Sequence, residues 1–446
     1  MPRHAVMKFI ATTTHTLSGS VRVPGDKSIS HRSIMLGAIA EGKTTIHGIL
    51  KGEDVLSTAN IFRQLGVTLE MPPEGPFQVY GVGLHGLRPT GQPLDCGNSG
   101  TSMRLLSGLL AGQGFESILV GDASLSKRPM KRVIDPLLLM QADVRSANQG
   151  RPPLHIFPKK QLKAIHYDLP MASAQVKSCV LLAALYAQGE TTVSEPACTR
   201  DHTERMLQGF GVSLTQQSGR IGLQGGQSLH ATVIDVPADI SSAAFILVAA
   251  SIAEKADITL HHVGINPTRI GVIQILCLMG ADILITNERL IGAEPVADIR
   301  VRSAELKGID IPPELVPLAI DEFPVLFIAA ANAQGETRLT QAEELRVKES
   351  DRIAVMADGL KACGIEAMPT PDGMIIQGKG HLSGTRYQAA EIIAHGDHRI
   401  AMSFSVAAIR AKGDMVITGA ETVNTSFPGF VPLMQQIGLN INIQEG

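Results

Sequence analysis

Tryptophan is absent from this 446-residue chain, and all aromatics together make up only 4% of it. Stacking platforms for bases are therefore scarce. A formal charge of −3 offers no basic face for a phosphate backbone either, so no nucleic-acid partner is expected. The five cysteines (Cys96, Cys179, Cys198, Cys277, Cys363) are far apart and form no CxxC pair, which argues against a disulfide scaffold or a structural zinc site. Long apolar runs are also missing. Polar residues interrupt each one before it reaches bilayer length, and the opening MPRHAVMKFIATTTHTL has no signal-peptide core, so a cytoplasmic protein with no membrane partner is expected. The 44 glycines and 25 prolines punctuate apolar segments rather than forming low-complexity tracts. The length admits two domains or more, each with a sizeable core.

What the chain does contain is organised around Val21 to Ile46. A short strand, Val21 to Val23, is expected to break at Pro24-Gly25, with a helix from about Ile29 to Ala40 that stops at Glu41-Gly42. Ser28 has the chemistry of an N-cap, and Lys27 and Arg32 would flank the free N–H groups of the first turn, a setting for phosphate or carboxylate. Similar stretches begin at Gly97, Pro170, Pro237, Ile320 and Gly396, giving six in all. Each has a polar turn, a small-residue apolar helix and a β-branched strand. Six amphipathic segments alternate with them, beginning at Val55, Lys131, Thr203, Thr268, Ser350 and Phe427. The period of roughly 65 to 85 residues is too long for a familiar solenoid. Six βαβαβ-like units instead predict two domains of three, the apolar helices buried and the amphipathic ones outside. The expected bounds are 22–236 for the first domain and 1–21 plus 237–446 for the second, with crossovers near 21 and 236 and an active site in the cleft between them.

Unusual polar groups collect in the turns that open the buried helices. These are Lys27, Ser28 and Arg32; Asn98, Gly100, Thr101 and Arg104; Arg128; Ser173, Gln175 and Lys177; and Arg200. The second half adds Asp239, Ser241, Arg269, Asp321, Glu322, Lys348, Glu349, Arg352, His398 and Arg399. A serine or aspartate at a helix start is most often only a cap, and a lone arginine is most often a solvated surface charge. Recurrence of cations at the same place in several units favours anion binding for Lys27 with Arg32 and for Lys348-Glu349 with Arg352. Among these cations Asp321 and Glu349 suggest proton transfer. His31, His202 and His398 read as structural or supporting side chains, and Cys96 and Cys179 as small core residues. Gly37 to Thr44 matches a Walker A motif, but it closes a helix and opens a strand, the reverse of a P-loop, so ATP binding is rejected there. No Ser-His-Asp spacing or metal-ligand cluster competes, and no metal is expected.

PGDKSISHRS, DCGNSGTSMR, SKRPMKRVIDPL, RVKESDR and GDHRIAMS resemble the signatures of the 5-enolpyruvylshikimate-3-phosphate (EPSP) synthases. SAQVK, RDHTE and NPTR are similar to the class II branch. The resemblance, from about Val21 to Phe430, implies an α/β fold of two similar domains, each with three βαβαββ units and buried parallel helices: the inside-out α/β barrel of the enolpyruvyl transferases. It implies transfer of enolpyruvyl from phosphoenolpyruvate to the 5-hydroxyl of shikimate 3-phosphate by a monomer using neither metal nor organic cofactor. Shikimate 3-phosphate would be held by Lys27, Ser28, Arg32, Ser173, Ala174, Gln175, Arg200, Asp321 and Lys348. Phosphoenolpyruvate would be held by Lys27, Asn98, Gly100, Thr101, Arg128, Gln175, Arg352, His398 and Arg399. By the same resemblance Asp321 takes the 5-hydroxyl proton, Glu349 handles the proton at the methylene carbon, and Lys27 assists at the bridging oxygen.

Two positions carry expectations of their own. Thr425 stands where class I members have a lysine, which puts that phosphate contact in doubt. Gly100 stands where some class II members have alanine, so retained inhibition by glyphosate is expected. The competing readings are a UDP-N-acetylglucosamine enolpyruvyl transferase, whose mobile loop bears a reactive cysteine, and a non-catalytic anion-binding protein. No cysteine here is expected in an exposed loop of that kind, and the Asp321 and Glu349 pair argues for catalysis.

Overall fold

The computed structural model describes residues 7–147, 149–217, 219–380 and 387–445. The chain divides into two compact units. The first is Gly25–Val236 with Ile291–Glu294; the second is Met1–Pro24, Pro237–Leu290 and Pro295–Gly446.

The first unit holds α1 (Lys27–Ile39), α2 (Glu53–Gln64), α3 (Gly100–Ala111), α4 (Lys131–Leu139), α5 (Ala174–Ala184) and α6 (His202–Gly209). In α1 every residue from Ile29 to Ile39 is buried, because small and apolar side chains surround the whole axis. Helices α3 and α5 are buried almost as fully, and Gly108 shows how closely they approach: a Cβ there would lie 2.1 Å from the Cys179 carbonyl oxygen. By contrast, α2, α4 and α6 keep a solvent-facing side.

Each repeat of this unit ends in a small mixed sheet. Ala40–His47 lies between Phe77–Val82, antiparallel, and Val233–Asp235, parallel. Ser117–Val120 has the same antiparallel and parallel neighbours in Arg151–Phe157 and Leu94–Asp95, and Glu190–Ser194 has them in Arg220–Gln224 and His166–Asp168. The first sheet thus draws its parallel edge from the far end of the unit.

The second unit holds α7 (Ile240–Ile252), α8 (Gly271–Leu278), α9 (Phe323–Asn332), α10 (Arg352–Ala362), α11 (His398–Ala407) and α12 (Phe430–Gln436). All of α7 and α9 is buried, as is most of α11. Two of its sheets recruit N-terminal strands. Thr16–Val21 runs parallel to Lys255–Gly264, and Met7–Ala11 lies antiparallel between Met415–Thr418 and Ile441–Glu445. Each unit has its own hydrophobic core, one running from Ile29 to Val236 and the other from Phe9 to Ile441. Among the described residues no helix is long and apolar enough to cross a membrane.

The opening stretch differs from its sequence reading in four ways. The strand before the turn is Thr16–Val21 rather than Val21 to Val23, and α1 starts at Lys27. Asp26, not Ser28, is the N-cap: its carboxylate accepts from the Ile29 amide at 2.8 Å. Asp26 has the non-helical backbone a cap requires, at φ −56° and ψ 123°, whereas Ser28 already lies inside the helix. The helix also passes straight into the strand at Ala40, and Gly42 sits inside that strand at φ +102°. Gly189 and Gly335 occupy the corresponding turns at +100° and +94°, so the glycine of the Walker-like string serves backbone geometry.

Candidate functional site

In the first unit the candidate residues gather at the start of the buried helices. Lys27, in the first turn of α1, pairs with Asp54 in the first turn of α2. Arg32 is one turn further into α1 and almost fully buried. Its Nε donates to Thr203 Oγ1 at 2.7 Å, Nη2 to Ser178 Oγ at 2.9 Å and Nη1 to the Ser28 carbonyl at 2.9 Å. Burial lowers its pKa to about 10, which still leaves a cation at neutral pH. Three hydroxyl or carbonyl partners without a carboxylate hold its orientation while leaving its charge to an incoming anion.

Between these cations His31 is buried, with Nδ1 2.8 Å from Thr58 Oγ1. Burial first, then Lys27 and Arg32, lower its pKa well below the usual value. Thr58 continues through Ser102 to the α3 cap Ser99, at 2.7 and 2.8 Å, so one hydroxyl chain links the openings of α1, α2 and α3.

Ahead of α3, Asn98 Oδ1 accepts from Arg128 Nη2 at 2.6 Å and Asn98 Nδ2 donates to Asp122 at 2.7 Å. Gly100 is the first residue of α3; a methyl there would come within 3.0 Å of Arg104 Nη1 and 3.3 Å of Arg128 Nη1. Gln175, in the first turn of α5, donates to Thr101 Oγ1 at 3.1 Å and accepts from Arg104 Nη1. Ser173 caps α5, Ala174 is its first residue, and Arg200 stands half-buried in the loop before α6. Lys177 is buried against Glu204 at 2.8 Å and Glu195 at 3.1 Å; burial opposes its charge, but the two carboxylates outweigh that and raise its pKa. Lys177 therefore belongs to the support under the site.

The second unit gathers the rest around Arg352, the first residue of α10. Its guanidinium reaches Asp397 Oδ2 from Nε at 2.9 Å, Glu349 Oε2 from Nη2 at 2.6 Å and Asp321 Oδ1 from Nη1 at 3.5 Å. Burial works against this cation, yet the carboxylates of Asp397, Glu349 and Asp321 raise its pKa. For Asp397 burial works against the charged form, but the Arg352 charge and hydrogen bond together with His398 outweigh it and lower the pKa, while Asp397 also caps α11 through the Arg399 amide at 2.9 Å. Lys348 Nζ lies 3.4 Å from Asp321 Oδ1, and Arg399 Nη1 donates to the Asp321 carbonyl at 2.7 Å. His398 is buried as the first residue of α11. Asp321 and Glu349 are thus side by side on one guanidinium, with Lys348 and Arg399 beside them.

Asp54, Asp122, Ser178 and Thr203 escaped the sequence reading. An acid in a first helical turn, such as Asp54, reads as a dipole complement. Ser178 and Thr203 acquire meaning only when separate repeats meet at Arg32, and Asp122 only when its loop folds back onto Asn98. One expectation is corrected: Cys198 is exposed, in the loop before α6. Partial burial and Glu195 raise its pKa, so it is not a ready thiolate nucleophile. Thr425, by contrast, is buried and donates to the Thr422 carbonyl at 2.7 Å. Among the described residues no group of three His, Cys, Asp or Glu side chains is placed to hold a metal ion.

The two repeat-built α/β units carry guanidinium and ammonium groups at their helix openings, the chemistry of an anion-binding protein, and in the second unit the carboxylates of Asp321 and Glu349 stand among them. The sequence profile of EPSP synthase (3-phosphoshikimate 1-carboxyvinyltransferase) matches residues 11–434. A 3-phosphoshikimate 1-carboxyvinyltransferase of Hydrogenovibrio crunogenus is 59% identical over 435 residues, covering 96% of this chain and 97% of the relative. One of Alkalilimnicola ehrlichii is 61% identical, covering 97% and 96%. The solved EPSP synthase of Acinetobacter baumannii superposes with a TM-score of 0.88 at 55% identity, covering 99% of this chain and all of that one. The chain belongs to the EPSP synthase family, and it has that family's two-domain inside-out α/β fold.

Proposed function

We propose that this chain transfers the enolpyruvyl group of phosphoenolpyruvate to the 5-hydroxyl of shikimate 3-phosphate and releases phosphate. Family membership supports the reaction class. The observation that carries the mechanism is the placement of Asp321 and Glu349 on Arg352, at 3.5 and 2.6 Å.

Asp321 removes the 5-hydroxyl proton as the oxygen attacks the central carbon of phosphoenolpyruvate, and Glu349 delivers a proton to the methylene carbon. In the second step Glu349 takes a proton back from the new methyl group. The C–O bond to phosphate breaks, and Lys27 neutralises the departing oxygen. Arg32, Ser28, Ser173, Ala174, Gln175, Arg200 and Lys348 hold shikimate 3-phosphate. Asn98, Gly100, Thr101, Arg128, Arg352, His398 and Arg399 hold phosphoenolpyruvate. Arg128 and Arg399 suit that role because a guanidinium can hold a carboxylate or phosphate through two parallel bonds. This reading assigns residues of both units to one pair of substrates.

The test is phosphate release with the two substrates, with UDP-N-acetylglucosamine as control acceptor. Asp321→Asn and Glu349→Gln should each lower kcat by about 100-fold or more while leaving substrate binding within a few-fold. Normal turnover by both variants would falsify the proton-transfer roles. Phosphate release only with the UDP-sugar would replace the acceptor.

A further inference from the structure

Glu322 follows Asp321 in the chain and stands at the start of α9, yet its side chain caps nothing. It is completely buried beside two guanidiniums. Arg399 Nη1 lies 3.6 Å and Arg269 Nη2 3.9 Å from Glu322 Oε1, and Ser241 Oγ donates to the same oxygen. Arg269 Nη2 in turn donates to Ser241 Oγ at 2.7 Å and approaches Asp239 Oδ1 at 3.4 Å. A buried carboxylate is costly unless it holds cations in place, and here it holds two. One of them, Arg399, also donates to the carbonyl of Asp321 at 2.7 Å. Glu322 therefore grips the guanidinium that is itself bonded to the backbone of the preceding residue.

We propose that Glu322 is a positioning residue for Arg399, fixing the guanidinium that receives phosphoenolpyruvate and tying it to the Asp321 backbone, with Ser241 and Arg269 orienting Glu322 from behind. The assignment rests on the phosphoenolpyruvate role given to Arg399 above.

Glu322→Gln keeps the shape and an acceptor for Ser241 but removes the charge. Its KM for phosphoenolpyruvate should rise about ten- to 100-fold, the scale of one charge-assisted contact. The KM for shikimate 3-phosphate should move less than about threefold, and kcat should fall less than the phosphoenolpyruvate KM rises. Ser241→Ala, which loses only the hydroxyl, should shift the same KM in the same direction by about threefold, and it decides the matter if the first variant does not accumulate. A lowered Tm with both KM values unchanged, or equal rises in both, would make Glu322 a structural residue and overturn the proposal. The wild-type protein is the control. If it releases no phosphate from the two substrates, the functional reading itself fails; if it does and Glu322→Gln retains its phosphoenolpyruvate KM, only this proposal fails.

Discussion

A single buried histidine shows how the site places cations without a compensating acid at each one. His31 separates Lys27 from Arg32, and burial together with those two charges keeps its ring neutral. A third positive charge there would repel both neighbours. The consequence for stability has a definite sign. Because the folded pKa is depressed, the unfolded chain takes up the proton first, below about pH 6.5. Stability is therefore fully present above that pH and falls as the pH drops toward the folded pKa. His31→Asn can still accept from or donate to Thr58 but cannot titrate. Its stability relative to wild type should improve by about 1 kcal/mol between pH 7 and pH 5.5 in urea unfolding. Parallel pH profiles for the two proteins would contradict this.

At the level of elements, the same device recurs. A short polar side chain caps a buried helix, and a longer cationic one emerges from the first turns. Asp26 does this for α1, Ser99 for α3, Ser173 for α5 and Asp397 for α11. The cap satisfies amides at the buried start of the helix, where no water can reach them. Assignment of the α1 cap to Asp26 has a direct check. Asp26→Ala should lower the stability of the first unit by about 1–2 kcal/mol, while Ser28→Ala should lie within about 0.5 kcal/mol of wild type. Urea unfolding of both variants separates the two assignments, and the opposite ranking would return the role to Ser28.

Across the whole molecule, twelve α-helices among the described residues alternate between buried and solvent-facing positions, and the sheets are completed by strands distant in the chain. The strand Met7–Ala11 illustrates the dependence: it bonds to two other strands, and Phe9 stacks on Phe430 with ring centroids 6.2 Å apart. Phe9→Ala should cost about 3–5 kcal/mol, with hydrogen exchange rising first at Met415–Thr418 and Ile441–Glu445. Unchanged protection of those strands would show the N-terminal strand to be dispensable. The helix alternation was legible in the sequence because each apolar stretch is short, uniform and followed by an amphipathic one, a pattern set by local side-chain chemistry. The cationic turns were legible for the same reason, since Lys27, Arg128, Arg352 and Arg399 stand in polar turns that interrupt apolar segments. The α1 cap was misplaced because Asp26 and Ser28 are both competent caps, and only the backbone dihedrals decide between them. Asp54 beside Lys27, the Thr203 and Ser178 seat of Arg32, and the gathering of Asp321, Glu349 and Asp397 on one guanidinium were beyond the sequence. Those partners lie 27 to 171 residues apart in most cases, as for Lys27 with Asp54 and Arg32 with Thr203. Sequence by itself determined which segments are helices and where charge collects. Tertiary packing alone decided which charge meets which, because an ion pair is a distance in space and the chain specifies that distance only once its repeats have stacked.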